Sequence, residues 1–185
     1  MSTDLAEAAV TAVEPGPSPA PAFEPAPAER KKKMTLVVMS GDMDKLFGAF
    51  IIATGAAAMG MKVTMFFTFW GLRAIKKNVS TGKTFFGRML GMMYGGDISK
   101  SNPSKFSFGG MGRWMFGKMM GAHNVAKLVE LRDLAVMLGI GLYPCQMSMD
   151  VMEMPCDCFI DGVQDPVGVG FMLAEAEESA IQFFV

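Results

Sequence analysis

Thr35-Leu36-Val37-Val38-Met39 breaks off at Ser40-Gly41-Asp42, and the reading of those eight residues decides the fold. An unbroken apolar run of strand-forming residues suits a strand buried on both faces, the kind found in parallel sheets; a half-buried strand would alternate. Ser40 and Gly41 end it, and Asp42 is placed to cap a helix running from about Asp44 to Met59, with Gly60 closing that helix. Val63, Met65, Phe66 and Phe67 then make Met61 to Phe67 a second buried strand. Strand, helix, strand is a βαβ unit, so a parallel sheet is expected.

The helix itself raises a question. Leu46 to Met61 is sixteen residues without a charge. That falls short of the roughly 20 apolar residues a bilayer span needs, and Gly48, Gly55 and Gly60 interrupt it. Small residues such as Ala49, Ala53 and Ala56 instead let a helix lie close under a sheet. Downstream, Val125, Leu128, Leu131, Leu134 and Leu138 recur with helical period up to Gly139. Ile140 to Tyr143 reads as a short strand leaving through Pro144-Cys145, Ser148 to Met154 as a short helix, Gly168 to Ser179 as another, and Ala180 to Val185 as a last strand. The expected fold is α/β: a flavodoxin-like, open, mainly parallel sheet with helices on both faces.

Upstream, residues 1–33 read as a Pro/Ala-rich tail of polyproline type, with the basic run Arg30 to Lys33 at its junction with a single domain over 34–185. No basic stretch followed by an apolar one opens the chain, so no secretory leader is expected. Three cysteines, an odd number, suit reduced thiols and a cytoplasmic setting.

Charge divides the domain unevenly although the whole chain carries only −1. Arg73 to Lys118 has nine Lys/Arg against the single acid Asp97; Gly139 to Val185 has eight Asp/Glu and no Lys/Arg. The near-neutral total gives no case for nucleic-acid binding. Within a basic, Met- and Gly-rich insertion over 73–121, Met111, Met115 and Met119 step by four with Trp114 beside them, one face of a helix. The plain expectation for that stripe is a core or subunit-interface packing face. The other is a docking surface for a partner or a peripheral membrane contact, since Met-rich faces flanked by Lys/Arg adapt to many surfaces.

Candidate chemistry rests on the cysteines. Cys145 leaves the carboxyl end of a predicted parallel strand just ahead of a helix, where ligands collect in open α/β sheets and where a thiolate is favoured. The plain alternative is a buried cysteine acting as a small hydrophobe. Cys156 follows across one short helix, close enough in sequence for the chain to fold back on Cys145; Cys156-Asp157-Cys158 is too tight for an easy disulfide. Three Cys with His123 lack the spacing of a zinc site, and no metal or cofactor is expected. Gly82-Lys83-Thr84 lacks the upstream glycine of a phosphate loop, and Gly168 with Gly170 is an incomplete dinucleotide pattern.

Met34 to Val185 resembles the DsrE/DsrF/DsrH-like sulfurtransferases, in the long DsrE branch with a Met/Gly-rich middle segment. The resemblance rests on Leu36 to Ser40, Phe66 to Leu72, Gly109-Gly110-Met111-Gly112 and, most specifically, Cys145-Gln146-Met147-Ser148-Met149-Asp150-Val151-Met152. It implies an oligomeric sulfur-trafficking protein holding sulfur as a cysteine persulfide, with a small TusA-like carrier or a rhodanese as its neighbour. Cys145 falls on the family's central cysteine and Cys156 on its second; Cys158 has no counterpart, and Glu153 stands where glycine is expected. On this reading Gln146 and the amides near Ser148 hold the persulfide anion. The rival readings are a non-catalytic binding module and a dithiol redox protein cycling Cys145 and Cys156.

Overall fold

The computed structural model describes residues 32–93, 95–105, 110–123 and 125–185. The tail up to residue 31, and Phe106, Phe108 and Gly109 of the middle segment, lie outside them. The elements run β1 (Lys33–Val38), α1 (Met43–Ala58), β2 (Lys62–Phe67), a 3-10 segment (Phe69–Ile75), α2 (Phe85–Met93), a 3-10 turn (Ile98–Lys100), α3 (Met111–Ala122), α4 (Leu128–Met137), β3 (Gly141–Pro144), α5 (Gln146–Val151), a 3-10 turn (Cys156–Cys158), α6 (Val169–Glu177) and β4 (Ile181–Phe184).

Among the described residues the sheet has four strands in the order β3-β2-β1-β4, every neighbouring pair parallel. Register assigns the faces: Leu36 pairs with Met65 and Phe183, so these share one side, while Thr35 pairs with Thr64 and Gln182 on the other. The first side holds the core, where Leu36, Phe50, Met65 and Phe67 are all fully buried and the rings of Phe50 and Phe67 lie 6.3 Å apart. Helices α1 and α4 cover it. The second side is covered more thinly, by α6, which has no buried residue. Polar groups fasten it: Lys33 Nζ donates to Glu175 at 2.8 Å and Glu178 at 2.7 Å, Thr64 Oγ1 donates to Glu175 at 2.7 Å, and Thr35 and Ser179 share a hydroxyl bond of 2.8 Å.

Local differences from the sequence reading have physical causes. Lys33 sits inside β1 because two carboxylates, Glu175 of α6 and its C-cap Glu178, stand over it, so the strand begins within the basic run. Asp42 occupies the N-cap position of α1 but makes no side-chain cap; its carboxylate accepts from Ser40 Oγ at 2.9 Å instead. The basic segment is anchored where it starts, since Arg73, Ala74, Ile75 and Lys76 are all buried. The Met stripe of α3 is not core in this chain. Met111, Trp114, Met115 and Met119 are exposed, as are Phe85, Phe86, Met89 and Met92 of α2, and Gly112 is the sole buried residue of α3. Period identifies a face; it does not say what covers the face. No helix among the described residues is long and apolar enough to cross a membrane.

Candidate functional site

Parallel strands deliver their side chains and loops to one end of the sheet, and two hollows open there. β1 leads to β2 and β3 on one flank and has β4 on the other, so the order reverses between β1 and β4, the position at which open α/β sheets usually bind ligands. A hollow of about 590 Å³ lies there, lined by Ser40, Asp42, Trp70, Phe184 and Val185 among others. The cysteines lie elsewhere, beyond the carboxyl end of the edge strand β3.

Cys145 follows β3 directly and is the N-cap of α5, two residues earlier than the sequence pattern suggested. Its amide donates to Phe67 O at 2.8 Å, its carbonyl accepts from Met149 N at 3.0 Å, and a parallel bridge joins it to Val167. These bonds extend the sheet by one residue and hold the thiol down: Cys145 is only 4% exposed. Gln146 N donates to Val167 O at 3.0 Å, and its side-chain amide to Asp150 at 2.8 Å. Ser148 is wholly buried, its hydroxyl sharing a 2.7 Å bond with Thr68 Oγ1 beyond the end of β2. What Ser148 offers is its backbone amide, which with that of Met147 precedes the first intrahelical bond of α5.

Cys156 is exposed and opens the following 3-10 turn. A hollow of about 410 Å³ is lined by Cys156, Gln146, Met149, Asp150, Glu153 and Lys83. The structure thus brings Cys156 and Gln146 to one cavity, while Cys145 and Ser148 lie outside its lining. All three cysteines are free thiols.

Cys158 is a different kind of thiol. It is 2% exposed, and burial pushes its pKa up to about 11, with Lys76 offsetting part of that. Lys76 is itself 1% exposed, its ammonium donates to Val79 O, and burial lowers its pKa. Lys77 N to Cys158 O, 2.8 Å, and Ile160 N to Ile75 O, 2.9 Å, stitch the two segments together. A thiol so placed is a poor nucleophile and a packing residue.

One residue of the site was not legible as such. Glu153 lies between Cys145 and Cys156 with φ +50°, a left-handed conformation that favours glycine. Its carboxylate accepts from Thr84 Oγ1 at 2.6 Å, from Thr84 N at 2.8 Å and from Lys83 N. The Thr84 hydroxyl, then the two amides, hold its pKa below the usual carboxylate value. Glu153 therefore ties the cysteine loop to the chain entering α2, and this long-range contact explains why a side chain stands where glycine was expected. His123 ends α3 as its C-cap.

Comparison with known proteins bears on this arrangement. Residues 30–184 match the model of the DsrE/DsrF/DrsH-like family. The chain is 39% identical over 159 residues to the protein YrkE of Bacillus subtilis, spanning 85% of this chain and 99% of that one. It is 33% identical over 159 residues to the sulfur carrier protein DsrE2 of Allochromatium vinosum, spanning 84% of this chain and 99% of its relative. Among solved structures, the ychN protein of E. coli aligns over 83% of this chain and 98% of that one, with a TM-score of 0.49 and 9% identity.

Proposed function

The chain belongs to the DsrE/DsrF/DrsH-like family, and on that premise we propose that it is a sulfur-trafficking protein that carries sulfane sulfur as a persulfide on Cys145 and exchanges it through Cys156. The observation that carries this reading is the pairing of a sheltered cysteine with an exposed one across a single short helix, the exposed one lining a hollow. The name of the Allochromatium relative, a sulfur carrier, supports it.

In the first step the Cys145 thiolate attacks the outer sulfur of a donor persulfide R–S–SH. An S–S bond forms on Cys145, the donor's S–S bond breaks, and R–S⁻ leaves with the electron pair. In the second, the Cys156 thiolate attacks in one of two ways. Attack on the outer sulfur gives Cys156–S–SH and a Cys145 thiolate. Attack on the inner sulfur gives a Cys145–Cys156 disulfide and hydrosulfide. Neither step needs a general acid or base beyond thiol deprotonation. Gln146 and the amides of Met147 and Ser148 are the groups that hold the persulfide anion.

The partner is a protein carrier, of the small sulfur-carrier or rhodanese kind, docking on the basic apolar face of α2 and α3. The exposure of Phe85, Phe86, Met111 and Trp114 favours a docking surface, and the same observation supports a second reading, peripheral contact with a membrane. A second copy of the chain is the expected partner along β4, whose four residues are all exposed at the sheet edge.

The test is intact mass after incubation with a sulfane-sulfur donor, on the wild type and on Cys145→Ser, Cys156→Ser and Cys158→Ser. A gain of one sulfur atom that disappears in Cys145→Ser and persists in Cys158→Ser is the expected result. Loss of two hydrogens shared by Cys145 and Cys156, with no gain of sulfur, would establish a redox dithiol instead. No change in any protein would overturn both and leave a binding module.

A further inference from the structure

Among the described residues no group of His, Cys, Asp and Glu could hold a metal ion, but α3 carries donors of another kind. Met111, Met115 and Met119 are followed at the same spacing by His123, the chain's single histidine, so donor side chains recur every four residues along one helix. Side chains four apart on a helix share a face, with Cβ atoms about 5–6 Å from one another. His123 is the C-cap, and its amide still donates to Met120 O at 3.1 Å, which keeps the last turn closed and sets the ring one turn beyond Met119.

The surroundings of this stripe select what it can bind. Met115, Met119 and His123 are all exposed, so the face does no packing within the chain. The imidazole has no hydrogen-bond or ionic partner among the described residues and is available as a ligand. Helix α3 has no carboxylate; its charged groups are Arg113 and Lys118, the latter 5.2 Å from the centre of the Trp114 ring. Hard cations such as Mg²⁺ and Ca²⁺ take oxygen ligands, of which α3 offers no side chain, and two neighbouring cations oppose any dication. Thioether sulfur is soft and uncharged, and it suits Cu⁺, as imidazole also does. The rotatable bonds of methionine let two sulfurs one turn apart close on a single ion.

We propose that Met115, Met119 and His123 bind one Cu⁺ ion through two thioether sulfurs and one imidazole nitrogen on the exposed face of α3. The ion keeps its oxidation state on binding and gives up only water or a weaker ligand. No cysteine takes part, so the site stands or falls apart from sulfur transfer.

Thiolates also bind Cu⁺, so the test uses the full-length Cys145→Ser/Cys156→Ser protein, whose remaining thiol, Cys158, is buried. Cu⁺, held reduced by ascorbate under nitrogen, is titrated in competition with bicinchoninate, with Zn²⁺ as the comparison ion. One equivalent of Cu⁺ should bind, and Zn²⁺ far more weakly. On that background Met115→Leu, Met119→Leu and His123→Leu should each weaken Cu⁺ by about tenfold or more, no less than loss of an outer-shell partner costs a metal site. Met92→Leu, at an exposed thioether of α2, should leave the affinity unchanged. Leucine conserves volume and helix propensity at these positions, and melting by circular dichroism checks that each variant is folded. Absence of Cu⁺ uptake by the double-serine protein overturns the proposal. So does uptake that survives Met115→Leu and Met119→Leu, or a loss in Met92→Leu equal to theirs, which would spread the ion over surface thioethers at large. Unaltered affinity in His123→Leu overturns the assignment of the nitrogen ligand. Should an α3 variant melt low, X-ray absorption at the copper edge of the double-serine protein decides: sulfur and nitrogen neighbours support the set, and neighbours without sulfur overturn it.

Discussion

The sheet core and the α2–α3 surface contain the same residue types, Met and Phe above all, and put them to opposite uses. In the core, Phe50, Phe67, Met34 and Met65 are at most 1% exposed and are held by strand register and by α1. On α2 and α3, Phe85, Phe86, Met92 and Met111 are each more than 60% exposed. The difference lies in the neighbours. Core residues sit among alanines and β-branched residues with fixed partners. The surface residues sit among Gly, Lys and Arg, on helices whose fully buried described residues are glycines, Gly87, Gly91 and Gly112, with Leu90 and Met120 partly buried against the core. Hydrophobicity in the first region stabilises the chain itself. In the second it lies uncovered among the described residues, and the proposed docking rests on that exposure.

A matched pair of truncations should show the largest difference between the two regions. Phe50→Ala should cost about 3–5 kcal/mol of unfolding free energy, as removal of a buried ring does. Phe86→Ala should stay within about 0.5 kcal/mol, as at an uncovered surface position. Urea unfolding of both in dilute protein measures the contrast. A large cost at Phe86 would mean that its face is already covered, by a second copy or by another segment, and repeating the measurement across protein concentrations would separate those two.

A smaller effect is expected where the thinly covered side of the sheet is held by charge. Burial works to raise the pKa of Glu175, but the hydrogen bonds from Lys33 and Thr64 outweigh it and hold it below the ordinary 4.5. The bond to Glu175, then that to Glu178, raises Lys33 above its ordinary 10.5. A lowered carboxylate stabilises the fold fully above its ordinary value and loses that contribution as pH falls through the folded value. A raised lysine stabilises it below its ordinary value and loses the contribution as pH climbs through the folded one. The contribution of this pair to stability should therefore be flat between these limits, falling below about pH 4.5 and above about pH 10.5. Glu175→Gln should lower the plateau by about 1–3 kcal/mol and flatten the acid limb. An acid limb unchanged in Glu175→Gln would place the acid sensitivity in other carboxylates.

The contrast also explains what could be read from the sequence. Leu36 to Val38 and Val63 to Phe67 announced buried parallel strands because continuous apolar runs have few other uses, and Cys145 was placed correctly at the end of β3 because Pro144 and the following helix bound it closely. Helix α2 was not legible because Gly87 and Gly91 lie within it, and glycine is a poor helix former. The Met111–Met115–Met119 spacing gave the helix correctly but could not tell a core stripe from an exposed one, since both have the same period. Lys33 looked like a solvated junction because its partners lie 142 and 145 residues away. Contacts of that range leave no local pattern.

Glu153 ties the cysteine loop to the entry of α2, and it yields the smallest and most specific effect. Its carboxylate, on the Thr84 hydroxyl and the amides of Thr84 and Lys83, supplies at the entry to α2 the anion that a helix N-terminus favours. Its backbone is strained at φ +50° to reach there. Glu153→Gly would relieve the strain and remove the tie; Glu153→Ala would remove the tie and keep the strain. Both should speed amide exchange through α2 severalfold while leaving β1 and β2 protected as before, because the tie holds one exposed helix and not the core. Glu153→Gly should melt higher than Glu153→Ala, the difference reporting the backbone strain alone. In wild type the tie should persist through neutral pH and release only below the ordinary carboxylate range, since its hydrogen bonds lower the pKa of Glu153. If α2 exchanges at the same rate in all three proteins, the helix is held by something other than Glu153, and the cysteine loop and the docking face move independently. If exchange in α2 rises together with the alkylation rate of Cys156, lifting α2 also opens the hollow lined by Cys156.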